Sequence, residues 1–340
     1  MTRRSWIGIA MASSLFTACA SGGPMDSLDP KGPIATDIDG LFRLTLNIAT
    51  VIFVLVTGAL LYAAIRFRDR GDRTPEPKQV EGNARLEVIW TVIPVLILAS
   101  IAVPTVDRIF KYTSCADDAL HIEVIGHQWW FEYTYPDDGF STANVLVMPT
   151  ETEICLDMSS DDVIHNYWVP KLNGKRYLVP GQDTVLLLRA DEPGEYWGQC
   201  AEFCGLSHAK MRARVIAMTP DDYVAWLTEQ QRPASVPVEG TIEQQGMDLF
   251  LGGQCVSCHN ISGVTADNPA LTAGAIYGPD LTHFSSRDVF AGAVLNHGDP
   301  NAIEDWIDNP PVVKPGSFMP NIDLTQQEIE ALAAYLRSLD

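Results

Sequence analysis

Basic residues are scarce in this chain, which has 23 Lys and Arg against 43 Asp and Glu and a formal net charge of −20. The imbalance is strongest from residue 239 to 340, where 14 acidic residues accompany only 3 basic ones. Because binding to nucleic acid depends on cations that neutralise phosphates, the composition excludes nucleic acid as a partner. An acidic surface attracts basic proteins and speeds their association, although a plainly solvated surface would have the same composition.

The motifs of a self-contained enzyme are also missing. The sequence contains no phosphate-binding glycine loop and no grouping of nucleophile, general acid and general base. We therefore expect no complete catalytic site in this chain, and a binding or relay function instead.

The chain has seven cysteines, and two of them stand in a short run rich in metal ligands. Cys200, Cys204, His208 and Met211 are close in sequence, and His165 precedes them. Thiolate, thioether and imidazole ligands favour copper over magnesium or calcium. Zinc fits poorly, because Cys-x3-Cys is not the usual zinc spacing and tetrahedral zinc has no use for a weak thioether. The alternative is a Cys200–Cys204 disulfide with incidental histidines.

A second cluster, Cys255-Val-Ser-Cys258-His259, has the spacing of the c-type haem attachment motif. In that motif two thiols bond the porphyrin and the histidine binds the iron. Met319 is the only methionine downstream of His259 and lies in a proline-rich loop, which predicts it as the second axial ligand. His283 and His297 are its rivals for that position.

Two uncharged hydrophobic stretches, Leu44–Ile65 and Val88–Val106, are each close to the ~20 residues that cross a bilayer as a helix. Their connection contains the basic residues Arg66, Arg68, Arg70, Arg73, Lys78 and Arg85. Because basic loops stay in the cytoplasm, we expect a two-helix transmembrane hairpin with both chain ends outside. A buried pair of core helices is the alternative.

The first eighteen residues predict a secretory signal peptide, with two arginines before an apolar run. Phe16-Thr-Ala-Cys19 approximates a lipobox, so Cys19 is a candidate site of lipidation. Ordinary cleavage after Ala18 or Ala20 is the alternative.

Short runs of alternating polar and apolar residues from Ala119 to Thr219, bounded by Gly, Pro and Asp clusters, predict a β-sandwich. Downstream, a helix is predicted at Ile242–Leu251, and Thr325-Gln-Gln-Glu328 predicts the capping box of a last helix. The expected domains are a signal peptide (1–18), an external segment (19–40), the helical hairpin (41–110), the sandwich (115–230), a linker (231–240) and a C-terminal domain (241–340).

Two cysteines, Cys115 and Cys155, are left over once the leader, the copper-binding run and the haem motif have taken the others. Cys155 alternates with Glu153 and Asp157 on the predicted polar face of a strand, where a free thiol is at risk in an oxidising compartment. We hypothesise a Cys115–Cys155 disulfide that ties the end of the second membrane helix to the sandwich.

Several of these motifs resemble those of cytochrome c oxidase subunit II. The pattern His165…Cys200-x-Glu202-x-Cys204-x3-His208-x2-Met211 resembles its binuclear CuA centre, and Leu86–Pro94 resembles its second membrane helix. Gly126–Phe131 resembles the aromatic segment through which electrons enter, and 241–340 resembles class I cytochrome c. Over nearly its full length the chain resembles bacterial subunit II fused to cytochrome c, the caa-type arrangement.

The resemblance implies a multi-domain membrane protein with a two-helix transmembrane hairpin, a cupredoxin-like β-sandwich and an all-α class I cytochrome c domain. It also implies that both thiolates bridge two coppers, that Met211 and the Glu202 carbonyl are weak ligands, and that the Pro279 carbonyl accepts a hydrogen bond from the haem histidine. The copper ligands would then be His165, Cys200, Glu202, Cys204, His208 and Met211, and the haem c ligands Cys255, Cys258, His259 and Met319.

Other roles are implied residue by residue. Trp129 would receive electrons, and Asp161 and Asp162 would form an acidic docking pair for the donor. Glu87 would lie at the mouth of a proton channel into subunit I, and the Glu202 side chain would contribute to a magnesium site shared with subunit I. The plainer alternatives are a core tryptophan, a solvated acidic surface, an ordinary Gly-Pro turn and an interfacial glutamate.

The implied function is that of subunit II of a respiratory cytochrome c oxidase, which passes electrons to subunit I for oxygen reduction coupled to proton translocation. The implied partners are subunits I and III and a donor, either cytochrome c or a respiratory complex that reduces it. The implied location is the bacterial cytoplasmic membrane, with the copper and haem domains on the periplasmic side. A CuA subunit of a nitric oxide reductase and a freestanding membrane-tethered electron carrier are the alternatives.

Overall fold

The computed structural model of this chain describes residues 22–68, 81–265 and 278–340. The predicted signal peptide, Cys19 and part of the basic connection between the hydrophobic stretches lie outside these residues.

The helical hairpin consists of α1 (Pro33–Arg66) and α2 (Ala84–Lys111), both long and apolar enough to cross a membrane. Each contains its predicted hydrophobic stretch and extends it at both ends. The helices present a continuous surface of exposed aliphatic and aromatic side chains. Such a surface is unfavourable in water and suits lipid, so the pair of buried core helices is not what forms.

Polar residues set the ends of this hairpin. The Asn83 side chain caps α2 by accepting hydrogen bonds from the backbone N–H groups of Arg85 and Leu86, at 3.1 and 3.3 Å. The Asp37 carboxylate, near the start of α1, pairs with Lys111 at 2.9 Å and also with Arg108, both near the end of α2. These ion pairs hold the two helices in antiparallel order.

Residues 120–218 form the predicted sandwich of two five-stranded sheets. The strands are β1 (Leu120–His127), β2 (Trp130–Tyr135), β3 (Phe140–Ala143), β4 (Val145–Pro149), β5 (Ile154–Ser160), β6 (His165–Trp168), β7 (Lys175–Leu178), β8 (Thr184–Leu188), β9 (Gly194–Cys200) and β10 (Arg212–Met218). The strand orders are β3-β2-β1-β5-β8 and β4-β10-β9-β6-β7. The β1–β5 and β4–β10 pairs are parallel and the other pairs antiparallel.

The period-two pattern is explained by the core between these sheets. Alternate side chains of β1, β2 and β5 point into it, and Phe131, Tyr133 and Tyr167 are among its fully buried members. The expected cupredoxin-like β-sandwich is therefore present, and it holds β6, β9 and β10 side by side.

Tyr135 joins the two sheets through its hydroxyl. Its Oη donates to the Val147 carbonyl at 2.8 Å and accepts from the Val147 N–H at 2.9 Å, and all these groups are buried. Tyr135→Phe would leave both main-chain groups unpaired, so we expect a loss of about 2–4 kcal/mol in the free energy of unfolding of the sandwich. Denaturant titration followed by tryptophan fluorescence measures this loss. Tyr177→Phe, at a half-exposed position on β7, is the control and should change stability by less than about 0.5 kcal/mol; equal effects of the two variants would contradict the prediction.

The sandwich leads into α3 (Pro220–Gln230), which begins at the predicted Thr219-Pro220 signal. The C-terminal domain then contains α4 (Ile242–Gly252), α5 (Ala302–Asp308), α6 (Pro310–Val313) and α7 (Gln326–Arg337). A short pair of strands, β11 (Val289–Phe290) and β12 (Leu295–Asn296), adds to the expected all-helical set. The predicted capping box is present: the Thr325 side chain accepts from the Glu328 N–H, and Glu328 accepts from the Thr325 N–H.

The first and last helices of this domain pack tightly against each other. Gly246 of α4 lies so close to α7 that an added Cβ would meet the Ala331 carbonyl oxygen at 2.0 Å. Phe250 and Tyr335 are in edge-to-face contact at 6.0 Å. The predicted linker is drawn into the same core, because Ala234 is buried there and its N–H donates to the Ser262 carbonyl at 2.9 Å.

Cys115 and Cys155 are joined by a disulfide, with their Cα atoms 5.8 Å apart. The side chain of Cys155 is buried, although it lies on the same strand face as Asp157, as the alternation predicted. The disulfide accounts for the burial, because the partner sulfur covers the side chain that the alternating sequence would leave in solvent.

Candidate copper and haem sites

The candidate copper ligands meet at one end of the β6-β9-β10 sheet. His165 begins β6, Cys200 ends β9 opposite Tyr167, and Met211 immediately precedes β10. We call residues 200–211 the ligand loop; it contains Cys204 and a single helical turn at His208–Lys210. Gly126 on β1 allows the close approach of His165, because an added Cβ would meet the imidazole Cδ2 at 2.8 Å.

The donor atoms face one another around a small volume. The Sγ atoms of Cys200 and Cys204 are 3.7 Å apart. His165 Nδ1 lies 3.9 Å from Cys200 Sγ, and His208 Nδ1 lies 3.6 Å from Cys204 Sγ.

The two weaker donors lie on opposite sides of the sulfur pair. Met211 Sδ is 3.9 Å from Cys204 Sγ, and the Glu202 carbonyl oxygen is 3.2 Å from Cys200 Sγ. Each sulfur therefore has one imidazole and one weak donor beside it. The described residues bring together all the predicted copper ligands, and a set of two thiolates, two imidazoles, a thioether and a carbonyl fits copper.

Only one of the two neighbouring thiols is readily ionised in the absence of metal. The hydrogen bond from Cys204, assisted by one with His165, lowers the pKa of Cys200 to about 3 against the effect of burial. The Cys200 thiolate beside it and burial together raise the pKa of Cys204. A cation that binds both sulfurs removes this repulsion, so metal binding would release a proton from the pair.

Sequence reasoning missed the groups that orient these ligands. Asp162 Oδ1 lies 2.8 Å from His165 Nε2, and its other oxygen accepts from the Gln128 N–H at 2.6 Å. The Gln128 side chain and Trp129 Nε1 both donate to the Cys204 carbonyl, at 2.6 and 3.0 Å. A carboxylate on the distal nitrogen fixes the tautomer and ring orientation of a ligand histidine. Only the short sequence distance between Asp162 and His165 hinted at this role.

The two aspartates of the predicted docking pair consequently differ in their exposure to solvent. Asp161 projects into solvent, with more than half of its side chain exposed and His127 Nδ1 at 3.7 Å. Asp162 turns inward to His165 and is largely covered.

A second site is a largely apolar pocket of the C-terminal domain, which the sandwich closes on one side with residues such as Trp129 and Trp130. Cys255, Cys258, His259 and Met319 line it together with aliphatic and aromatic side chains. His259 Nδ1 makes a 2.8 Å hydrogen bond with the Pro279 carbonyl, which leaves Nε2 for the pocket. Gly278 makes room for this ring, because an added Cβ would lie 2.7 Å from His259 Cε1. Burial lowers the pKa of His259, so its imidazole is neutral, as an iron ligand must be.

The rival histidines lie elsewhere. His283 Nδ1 lies 2.7 Å from the Asp340 carbonyl and its Nε2 lies 2.9 Å from the Arg232 carbonyl, so both ring nitrogens are occupied. His297 lies behind Phe284 and Phe290, outside the pocket lining, whereas Met319 is part of it.

The pocket also contains a buried cation that the sequence did not single out. Arg287 is buried, and its Nε has no hydrogen-bond partner among the described residues. A buried guanidinium nitrogen without a partner favours a further hydrogen-bond acceptor, and an anionic one suits its charge. A covalently attached porphyrin brings carboxylates on an otherwise apolar ring, so the pocket, its thiols and Arg287 fit haem c.

Two further predicted groups are the Glu87 side chain and the Glu202 carboxylate. Glu87 is in the first turn of α2 and is exposed in this chain. The Glu202 carboxylate faces the Tyr177 hydroxyl, and their hydrogen bond raises the pKa of that tyrosine.

Comparison with known proteins covers the whole chain. Three family models match in order: the transmembrane domain of cytochrome c oxidase subunit II at 25–107, its periplasmic domain at 139–218, and cytochrome c at 243–340. Cytochrome c oxidase subunit 2 of Alkalihalophilus pseudofirmus is 34% identical over 99% of this chain and 97% of its own length. The chain belongs to the cytochrome c oxidase subunit II family. The subunit 2 of Bacillus sp. strain PS3 is 33% identical, over 97% of this chain and 95% of that protein.

The solved periplasmic domain of cytochrome oxidase subunit II from Bradyrhizobium japonicum is 27% identical, with a TM-score of 0.33, over 35% of this chain and 96% of that one. This subunit II thus combines a membrane anchor, a periplasmic domain and a cytochrome c domain, as its motifs predicted. Membership of the family implies an electron-transfer role, copper and haem binding, and association with other oxidase subunits.

Proposed function

We propose that this subunit relays electrons from a respiratory donor to the haem-copper centre of subunit I, where oxygen is reduced to water and protons are translocated. A c-type haem and a binuclear CuA centre would supply the one-electron carriers. The observation that carries the proposal is the convergence of four neutral donor groups, two imidazoles, a thioether and a carbonyl, around two cysteine sulfurs 3.7 Å apart.

The chain contributes a rigid shell to this chemistry. Electron transfer is fast when ligands move little between oxidation states, and here the ligands are fixed by strands and by hydrogen bonds from outside the site. Asp162 orients His165, while Gln128 and Trp129 hold the Cys204 carbonyl. We assign these three residues to positioning the copper ligands.

In the haem domain, Cys255 and Cys258 would form thioether bonds, and His259 and Met319 would be the axial ligands. Support for Met319 comes from the position of the rivals, since both nitrogens of His283 are occupied and His297 lies outside the pocket lining. A thioether in place of a second histidine raises the reduction potential, which suits a carrier on the way to oxygen.

Two contacts with subunit I are part of the proposal. Phe203 and Leu206, at the exposed side of the ligand loop, have 78% and 80% of their surfaces exposed, which is unusual for large apolar side chains and marks an interface. His208, whose ring lies 5.8 Å from that of Phe203, would be the exit toward subunit I. The Glu202 carboxylate would provide one oxygen ligand of a magnesium ion shared across the same interface.

The other roles follow the same assignment. Glu87, at one end of a membrane helix, would lie at the mouth of a proton channel into subunit I. Asp161 would contribute to docking of a basic donor, while Asp162 is engaged with His165. The complex would reside in the bacterial cytoplasmic membrane, with subunit III as a further partner.

Stopped-flow oxidation tests this function. We expect oxygen to oxidise the c-haem band and the near-infrared CuA band rapidly in the fully reduced, purified complex, because both carriers feed the oxygen-reducing site. Turnover with nitric oxide and inertness to oxygen would instead assign the chain to a nitric oxide reductase. Purification without a large multi-span subunit would favour a freestanding carrier.

A further inference from the structure

The C-terminal domain lies directly on the ligand loop. The Arg212 N–H, next to Met211, donates to the Gly292 carbonyl at 2.9 Å. Ser207 Oγ donates to the Pro315 carbonyl at 2.6 Å, and Lys210 Nζ donates to the Val313 carbonyl. Residues on both sides of His208 are therefore bonded to the haem domain; we call this contact the interdomain interface.

The interdomain interface has an apolar core of its own. Val289 and Ala293 of the C-terminal domain form a buried cluster with Val145, Val147 and Tyr223 of the sandwich and α3. Because residues of both domains are buried in this cluster, it excludes water as a domain core does. The interface is therefore held by apolar packing as well as by hydrogen bonds.

Lys314 is the polar centre of the interface. Only 4% of its surface is exposed, and Nζ donates to the Trp129 carbonyl on one side and to the Ala291 carbonyl on the other, the latter at 3.1 Å. Burial lowers the pKa of Lys314 to about 7, and the nearby Lys210 charge acts in the same direction. Burial of an amine costs desolvation free energy, which hydrogen bonds must offset. The two hydrogen bonds of Lys314 do so by binding one carbonyl from each domain.

Two glycines permit this close approach. An added Cβ on Gly292 would lie 2.4 Å from Lys314 Nζ and 2.8 Å from the Trp129 carbonyl oxygen. An added Cβ on Gly316 would lie 2.7 Å from Cη2 of the Trp129 ring. Both have positive φ, which makes a larger residue unfavourable at either position.

The interface also aligns residues of the two candidate sites. The Phe318 ring, next to Met319, stacks on that of Trp129 at 6.4 Å with an interplanar angle of 8°. Trp129 in turn donates to the carbonyl of Cys204. Only 5% of the Trp129 surface is exposed, so an external protein cannot reach its ring while the two domains are in contact.

We propose that Lys314 holds the C-terminal domain on the ligand loop by joining the Trp129 and Ala291 carbonyls, and that it thereby sets the position of the Phe318 ring on that of Trp129. Lys314 is then a positioning residue, which acts through the contact between Phe318 and Trp129 at the edge of the pocket. The role in electron transfer rests on the proposed function, whereas the role of Lys314 in holding the interface can be tested separately.

The test compares Lys314→Met and Gly292→Ala with Asp288→Asn in the full-length subunit within the purified complex. Methionine keeps the length of the side chain and removes its donor, while alanine at 292 crowds the same contact without changing Lys314. Asp288 pairs with Arg214 at 3.3 Å at the exposed rim of the interface and is the matched control, since rim ion pairs contribute little.

Hydrogen–deuterium exchange of peptides covering 206–214 is the first readout. We expect both interface variants to speed exchange there by about tenfold, because opening of the contact becomes easier, and Asp288→Asn to change it little. Lys314→Met alone could be compensated by better apolar packing, which is why Gly292→Ala accompanies it. Unchanged exchange in both variants would overturn the inference.

The second readout is the rate of electron transfer between the haem and copper absorption bands after rapid reduction of the haem. We expect this intramolecular rate to fall about tenfold in the interface variants, while the donor-concentration dependence of haem reduction stays unchanged. Faster hydrogen–deuterium exchange with an unchanged electron-transfer rate would show that Lys314 does not position the groups between which electrons move. Absence of copper or haem from the wild-type complex would instead refute the proposed function, and the exchange readout would still report on the interface.

Discussion

Cys204→Ser should eliminate the proposed binuclear copper centre. The Cys204 sulfur lies within 4 Å of three other donor atoms, on Cys200, His208 and Met211, so its loss removes the atom that most of the site shares. A serine hydroxyl is a hard, shorter ligand that cannot bridge two copper ions as a thiolate does. Loss of an outer hydrogen bond to a ligand already costs 10–100-fold in metal affinity, and we expect loss of a bridging ligand to exceed about a hundredfold.

The measurements are copper content per chain, the near-infrared band and the electron paramagnetic resonance of the purified subunit. We expect the copper content to fall to half or less and the near-infrared band to vanish. Ala209→Ser places the same hydroxyl at an exposed, non-ligating position of the loop and should leave all three unchanged. Survival of the band in Cys204→Ser would show that the sulfur pair is not the copper bridge.

Gly246→Ala is expected to separate the two helices that close the haem domain. The new methyl group would coincide with the carbonyl of Ala331 and crowd Cβ of Tyr335 at 2.7 Å, and neither backbone can yield without moving a whole helix. Overpacking of a core usually lowers the free energy of unfolding by about 1–3 kcal/mol. Because main-chain atoms cannot move aside as side chains can, we expect a loss of about 3 kcal/mol or more here.

Gly252→Ala is its matched control. It lies in the same helix, with open space where the methyl group would go, and it replaces a poor helix former by a good one. We expect it to stabilise the domain by up to about 1 kcal/mol, whereas Gly246→Ala lowers the thermal midpoint and the yield of covalently attached haem. Equal behaviour of the two variants would mean that α4 and α7 are not packed as described.

The features that could be predicted from the sequence are the local ones. The strands of the sandwich follow from period-two alternation, the last helix from its capping box, and the loop of copper ligands from soft donors spaced within a few residues. In each case residues close in sequence determine the structure, so tertiary packing is not needed to read it. The predicted hydrophobic stretches are shorter than the observed helices. A hydropathy pattern marks only the apolar part of a helix and not its polar ends, which Asn83 and Asp37 fix here.

The features that could not be predicted depend on contacts between distant residues. Lys314, between a valine and a proline, has the sequence context of a solvated loop, and only two carbonyls, one of them 185 residues away, make its burial favourable. Asp162 looked like a surface charge because the group that fixes its carboxylate from the other side, the Gln128 N–H, lies 34 residues earlier. The covered position of Cys155 likewise depends on a sulfur 40 residues earlier.

The order of the chain gives the interdomain interface a consequence in time. The ligand loop is complete long before the residues that cover it, because Lys210 and its acceptor on Val313 are 103 residues apart. In a chain that folds from its N-terminus, the loop would therefore form before the C-terminal residues that cover it. Such an order would leave an interval in which the proposed copper ligands are accessible to a metal donor, and packing of the C-terminal domain onto the sandwich would end it.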